Sequence, residues 1–159
     1  MYRFHWNDEF CKKGMKAMRE AFENRHGHDV SSDDCIGQAR TGDVCFDLVI
    51  RDCRETDEPE DDRKLFLGFD LYVGGCDTGY GYSAEDAMLD GKYKSKHEVP
   101  PEELYPYDEW DGCGGPLEDY IGLSFEEFIE VAESEMSGYL DSIKNPGVRE
   151  AINRPFHYW

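Results

Sequence analysis

The sequence predicts an α+β fold, in which an N-terminal helix and a C-terminal helix pack on a small antiparallel sheet. Segments 43–53 and 64–73 alternate between apolar and polar residues and are joined by a polar connection, which is typical of an antiparallel pair of strands. Segments 8–26 and 124–143 repeat apolar residues at helical spacing. The length of 159 residues fits a single domain, 1–159.

A capping residue and an apolar stripe predict the N-terminal helix. Asn7 is a good N-cap, and Gly27 is a natural stop after the last turn. Gly14, inside the helix, indicates that another group approaches closely. The side chains expected to face the core lie at i, i+4, i+7 and i+11. They are Cys11, Met15, Met18 and Phe22. Segment 28–42 is polar and rich in turn-forming residues, so we expect no regular element there.

Each predicted strand has one apolar face, as expected for strands that cover a core on one side. In segment 43–53 this face consists of Val44, Phe46, Leu48 and Ile50. In segment 64–73 it consists of Leu65, Leu67, Phe69, Leu71 and Val73. The segment that follows, 74–123, contains nine glycines and seven aromatic residues without sustained periodicity. We therefore expect it to be irregular, and its aromatic residues argue against disorder.

The C-terminal helix, 124–143, has the clearest signals in the chain. Ser124 and Glu127 have the spacing of a capping box. Its apolar stripe is continuous, and it consists of Phe125, Phe128, Ile129, Ala132, Met136, Tyr139, Leu140 and Ile143. The other face carries carboxylates that have no Lys or Arg at i+4. These are Glu126, Glu130, Glu133, Glu135 and Asp141. Pro146 is suited to begin a short helix that runs to Ile152.

The charge of the chain is concentrated in one half. The formal net charge is −19, from 36 acidic and 17 basic residues. Segment 65–143 holds three basic and nineteen acidic residues, a formal charge of −16. Between Glu98 and Ile143 there is no Lys, Arg or His. Such a field favours a positively charged partner, although a solvated surface that maintains solubility is the simpler interpretation.

Several function classes are disfavoured by the sequence. Direct binding to nucleic acid or to an anionic membrane requires clustered basic residues. No stretch approaches the apolar length of a membrane span, and residues 1–10 lack the pattern of a signal peptide, so we expect a cytoplasmic protein. The six cysteines form no C-x-x-C pair, and we expect reduced thiols. Phosphate-binding and serine-hydrolase motifs are missing. We expect no metal and no cofactor, and we read the histidine pair at 26 and 28 as a helix end.

The leading hypothesis is a non-enzymatic acidic protein that binds a basic site on a partner protein. Carboxylates spaced along a helix can imitate a phosphate backbone, and Tyr and Trp are the usual anchors of an interface. The residues expected to bind the partner are Glu126, Glu130, Glu133, Asp108, Glu109, Trp110, Asp111, Tyr105 and Tyr107. In charge and size alone, the chain is similar to the small acidic proteins with which phages and mobile elements block nucleic-acid-binding machinery.

Two alternatives remain open at this point. The first is an enzyme or small-ligand domain that uses the 74–123 segment, with Asp77, Asp108, Glu109 and Asp111 as candidate acids. Catalytic carboxylates need only meet in space, so their spacing in the sequence does not decide the matter. The second alternative is a structural subunit whose exposed apolar surface completes an oligomer.

Overall fold

The computed structural model describes residues 2–23, 34–54, 57–59, 64–73, 113–143 and 146–155 of the 159. Within these ranges, five strands form one antiparallel sheet whose order in space follows the order in the chain. The strands are β1 (His5–Trp6), β2 (Asp34–Thr41), β3 (Val44–Asp52), β4 (Leu65–Val73) and β5 (Cys113–Pro116). The α-helices are α1 (Met15–Glu23), α2 (Phe125–Ser142) and α3 (Pro146–Ile152). The predicted α+β fold class is confirmed.

The two predicted strands are β3 and β4, paired in unbroken register from Val44 opposite Val73 to Asp52 opposite Leu65. Partners in an antiparallel pair project to the same side, so the alternation in each strand defines two faces of the sheet. On the front face, the buried side chains are Val44, Phe46, Leu48, Ile50, Leu65, Leu67, Phe69 and Leu71. The back face carries Gln38, Arg40, Cys45, Asp47, Val49, Arg51, Gly68 and Asp70.

Strand β2 lies in segment 28–42, for which the sequence predicts no regular element. The prediction is wrong for this part of the segment. The apolar-polar alternation of β2 is weak in the sequence because its core-facing side includes Gly37 and Ala39, and the register shifts between Cys35 and Gly37. A tight turn joins it to β3, with Gly42 at a φ of 55°. A Cβ at Gly42 would also lie 2.3 Å from the carbonyl oxygen of Ile152, so this turn requires glycine on two grounds.

The N-terminal helix begins as predicted, since the backbone N–H of Phe10 donates to Oδ1 of Asn7 at 3.1 Å. It then forms a π-helical turn over Phe10–Gly14 before α1. A π-turn inserts one residue relative to an α-helix, so the predicted stripe is wrong at its first member. Cys11 is exposed, whereas Phe10 is fully buried. The described helix ends at Glu23, and the predicted part from 24 to 26 lies outside the described residues.

The close approach inferred at Gly14 involves the ring of Phe10. A Cβ at Gly14 would lie 2.0 Å from Cδ2 of Phe10, and a Cβ at Gly37 would lie 2.5 Å from Cβ of Phe10. The ring also packs 5.1 Å from that of Phe128 and 4.9 Å from that of Trp6, measured between centroids. Two glycines therefore make room for an aromatic side chain that joins the first helix to the sheet and to α2.

Helix α2 confirms the predicted C-terminal helix and its capping box. The backbone N–H of Glu127 donates to Oγ of Ser124 at 3.2 Å, and the backbone N–H of Ser124 donates to Oε1 of Glu127 at 3.1 Å. Four residues of its predicted stripe are fully buried: Phe128, Ala132, Met136 and Leu140. Helix α3 begins at Pro146 and ends at Ile152, as predicted.

The main core lies between the front face and the helices. The ring of Phe46 packs against Tyr139 of α2 at a centroid distance of 6.2 Å, and the ring of Phe69 packs edge-on against Tyr120 at 6.1 Å. Strand β5 and the 3-10 turn Leu117–Asp119 lie in the 74–123 segment that was expected to be irregular. The sequence pattern does not predict these two elements. Residues 74–112, the rest of the segment up to β5, lie outside the described part of the chain.

Candidate functional site

The acidic surface of this protein is built on α2 and the 3-10 turn before it. It consists of Glu118, Asp119, Glu126, Glu127, Glu130, Glu133, Glu135 and Asp141. No Lys, Arg or His occurs in the sequence from 113 to 143. All of these carboxylates are exposed except Glu133 and Glu135, which are half-buried. The helix therefore covers the core with one side and presents a field of one sign on the other.

Glu126, Glu130 and Glu133 share one side of α2, because they follow each other at i, i+4 and i+7. A rise of about 1.5 Å per residue spaces these positions along the axis by roughly 6 Å and 4.5 Å. The structure thus brings the three helical members of the predicted site into one row. The other predicted members, Tyr105, Tyr107, Asp108, Glu109, Trp110 and Asp111, lie outside the described residues, and so does Asp77 of the enzyme alternative.

Three carboxylates of the acidic surface accept hydrogen bonds from aromatic residues that lie outside α2. Nε1 of Trp6 donates to Oε1 of Glu133 at 2.9 Å, and the hydroxyl of Tyr2 donates to Oδ1 of Asp141 at 2.6 Å. The hydroxyl of Tyr120 donates to both carboxylate oxygens of Glu135, at 3.0 and 2.8 Å. Indole and phenol are neutral donors, so these bonds restrain the carboxylates without cancelling their charge.

This arrangement distinguishes Glu133 from its two neighbours in the row. Glu126 and Glu130 are exposed, whereas Glu133 is half-buried and holds the indole of Trp6. That indole stacks on Phe10 and meets the edge of Phe128, at centroid distances of 4.9 and 6.2 Å. A change at Glu133 will therefore disturb packing as well as charge. The sequence does not predict this coupling, because no local spacing relates Trp6 to α2.

Two described arginines bind backbone carbonyls near the ends of α2. Nη1 of Arg149 donates to the carbonyl oxygen of Leu140 at 2.6 Å, where a positive charge also favours the helix dipole. The same guanidinium donates to the hydroxyl of Tyr2 at 3.1 and 3.2 Å. At the other end, Nε of Arg19 donates to the carbonyl oxygen of Ile121 at 3.3 Å. These contacts anchor the helix and leave its carboxylates charged.

Cys113, Tyr120 and Glu135 form a partly buried group beside β5. Burial, and then the charge of Glu135, raise the pKa of the Cys113 thiol to about 12. Burial and the hydrogen bond to Glu135 also raise the pKa of Tyr120 above its ordinary value. Thiolate is the nucleophilic form of cysteine. At neutral pH Cys113 is therefore a neutral thiol, poorly suited to attack a substrate.

The back face carries a second group of polar side chains, which sequence analysis did not single out. Nε2 of Gln38 donates to Oδ1 of Asp47 at 2.8 Å, and Nη1 of Arg51 donates to Oδ1 of Asp70 at 2.7 Å. A second bond joins Nη2 of Arg51 to Oδ2 of Asp70. The signal was present in the alternation of the strands, because every second residue from Cys45 to Arg51 lies opposite the apolar face.

Among the described residues there is no group of three or more His, Cys, Asp or Glu side chains placed to hold a metal ion. None of the five described cysteines is in a disulfide, and Cys76 lies outside the described ranges. Among the helices the structure describes, none is both long and apolar enough to cross a membrane.

Comparison with known proteins yields no relative. No family model matches the chain, and no curated protein or solved structure is significantly similar to it.

Proposed function

We propose that this chain is a non-enzymatic binding protein whose acidic surface engages a basic site on a partner protein. The observation that carries the proposal is the exposed side of α2, where Glu126, Glu127 and Glu130 stand with no basic residue on the helix. Opposite charges attract over about 10 Å at moderate ionic strength. A surface of this kind accelerates encounter with a positive partner and orients the two proteins.

The linear charge density of α2 favours a partner site that normally holds nucleic acid. Six carboxylates lie on a helix of 18 residues, whose length is roughly 27 Å. The mean spacing is then about 4.5 Å per charge, against about 3.4 Å per phosphate along one strand of duplex DNA. The helix therefore approaches the charge density of a single phosphate strand. We infer that it competes with nucleic acid for the basic groove of its partner and so acts as an inhibitor of phage or mobile-element type.

The aromatic donors support this function by restraining the charges. Binding costs less when the groups that make contact are already held in place. Neutral donors restrain Glu133, Glu135 and Asp141 in this way, whereas basic donors would have neutralised them. We place the interaction in the cytoplasm, where the free thiols of the described cysteines persist.

The first experiment is affinity capture from a nuclease-treated lysate, followed by elution with a salt gradient. We expect the chain to capture one dominant basic protein, which is released at moderate salt because the contacts are electrostatic. Nucleic acid added to the captured complex should displace the chain. A diffuse background of many basic proteins would contradict the proposal, since it would show nonspecific polyanion behaviour.

A double variant that lacks two carboxylates of α2 then tests whether this helix contacts the partner. Glu126→Gln together with Glu130→Gln should weaken binding to the captured protein about 2- to 30-fold, if each exposed ion pair contributes roughly 0.2–1 kcal/mol. The dependence of the dissociation constant on salt should also become flatter. Glu133 is left unchanged because its carboxylate holds Trp6.

The matched control removes the same charge elsewhere. Glu9→Gln together with Glu23→Gln changes two exposed carboxylates of the N-terminal helix and reduces the net negative charge by the same amount. Affinity should stay within about twofold, as expected for surface changes away from an interface. Equal losses in both variants would show that net charge alone drives binding, and no loss in either would remove α2 from the interface.

A further inference from the structure

Two carboxylates face each other across the centre of the back face. Asp47 on β3 is directly opposite Asp70 on β4 in the strand register, so both side chains project to the same side. Like charges at directly opposed positions of an antiparallel pair are destabilising. Asp70 is 8% exposed, and Asp47 is half-buried. Water therefore screens the repulsion between the two carboxylates less than it would at the exposed surface.

A guanidinium neutralises one member of this pair. Arg51 binds Asp70 through both terminal nitrogens, and the Nη1–Oδ1 distance is 2.7 Å. Gly68, between them on the same face, leaves the space that the guanidinium needs, because a Cβ there would lie 3.0 Å from Nη1 of Arg51. The two-pronged contact is the geometry in which arginine holds a carboxylate most strongly.

The described side chains that hydrogen-bond to Asp47 are uncharged. On β2, Nε2 of Gln38 donates to Oδ1 of Asp47 at 2.8 Å. On β3, the Cys45 thiol lies 3.9 Å from the same oxygen. Arg40, the other cation on this part of the face, lies opposite Cys45 in the register. The described hydrogen-bond partners of Asp47 are thus neutral donors, and Asp70 directly opposite is a second negative charge.

We propose that Asp47 is a proton-binding switch of the folded state, which takes up a proton at a pH at which exposed carboxylates are still ionised. Protonation removes the repulsion across β3 and β4 and leaves the ion pair of Arg51 and Asp70 intact. Acidification therefore tightens the centre of the sheet.

The electrostatics of the site agree with this assignment. Burial raises the pKa of Asp47, the hydrogen bond from Gln38 opposes that shift, and the charge of Asp70 raises the pKa further. A pKa that is higher in the folded than in the unfolded state means that folding favours the protonated form. The stabilising contribution is complete below the unfolded pKa of about 3.9, and it is lost as the pH rises through the folded pKa.

The test measures the ionisation of Asp47 directly and then its effect on stability. In the wild-type chain, the pKa from NMR titration of the side-chain carboxyl carbon of Asp47 should lie above the ordinary aspartate value of about 3.9. A value at or below the ordinary one overturns the proposal, whether or not any variant folds.

The variant Asp47→Asn mimics the protonated form with the same shape and keeps an oxygen for Gln38. It should unfold at a higher temperature than the wild type at neutral pH, and the difference should shrink as the pH falls toward about 4. Glu23→Gln removes a charge at an exposed position and should show no such pH-dependent difference. A difference in unfolding temperature between Asp47→Asn and wild type that does not change with pH would overturn the proposal.

Discussion

The front face of the sheet places Phe46, Leu48 and Phe69, all fully buried, against the helices, whereas the back face carries Asp47, Asp70 and their partners. Both faces belong to the same strands, and the residues of the two faces alternate along β3. The front face is stabilised by the apolar area that it removes from water, at about 25 cal/mol per Å². The back face depends on pairing, because buried charge is costly unless it is neutralised. We therefore expect the two faces to tolerate different substitutions.

The largest effect is expected where α2 covers the front face. Phe128→Ala should lower the free energy of unfolding by about 3–5 kcal/mol, because it leaves a cavity that its neighbours fill only in part. Its ring packs against Phe10 and Tyr120, at centroid distances of 5.1 and 5.8 Å. Val131→Ala on the same helix, where the side chain is 37% exposed, is the control and should change stability by less than about 0.5 kcal/mol. Denaturant unfolding measures both; similar costs would show that this face is loosely packed.

On the back face we expect a smaller loss in the free energy of unfolding, and one that a second substitution largely reverses. Asp70→Ala should lower the free energy of unfolding by roughly 2–4 kcal/mol, because it removes the carboxylate that both terminal nitrogens of the largely buried Arg51 side chain bind. Replacing both partners, as Arg51→Met with Asp70→Leu, should recover most of that loss. A double variant as unstable as Asp70→Ala would mean that the back face requires charge in itself. Charge pairing alone would then not explain why the two faces tolerate different substitutions.

The smallest effect concerns the start of α2, at the boundary between the front face and the acidic surface. Ser124→Ala removes the hydroxyl that accepts from the backbone N–H of Glu127, and it should cost about 1 kcal/mol in thermal unfolding. Ser134→Ala, in the exposed middle of the same helix, should stay within about 0.5 kcal/mol of the wild type. Equal responses would show that packing alone determines where α2 begins.

How far the sequence predicts this fold depends on whether each signal is local. The alternation in β3 and β4 and the cap of α2 involve residues close together in the chain, and the structure confirms them. Strand β2 was missed because its pattern is weakened by Gly37 and by a register shift. In the N-terminal helix, the spacing rule failed at Cys11 because a π-turn changes the phase of the stripe.

The residues of the candidate site also differ in whether a local signal in the sequence predicts their arrangement. Glu126, Glu130 and Glu133 share one side of a helix by spacing alone, which the sequence predicts. The bond that separates Glu133 from the other two comes from Trp6, at the opposite end of the chain. No local rule relates positions so far apart, because their contact exists only once β1 has joined the sheet.

By itself, the sequence determined the element type and the apolar face of β3, β4 and α2, and the concentration of negative charge on α2. These properties follow from periodicity and composition, which are local or additive along the chain. Only the tertiary structure decided that Asp47 faces Asp70 and that Arg51 neutralises just one of them. Strand register determines such contacts, and register depends on how whole strands pair rather than on any single segment.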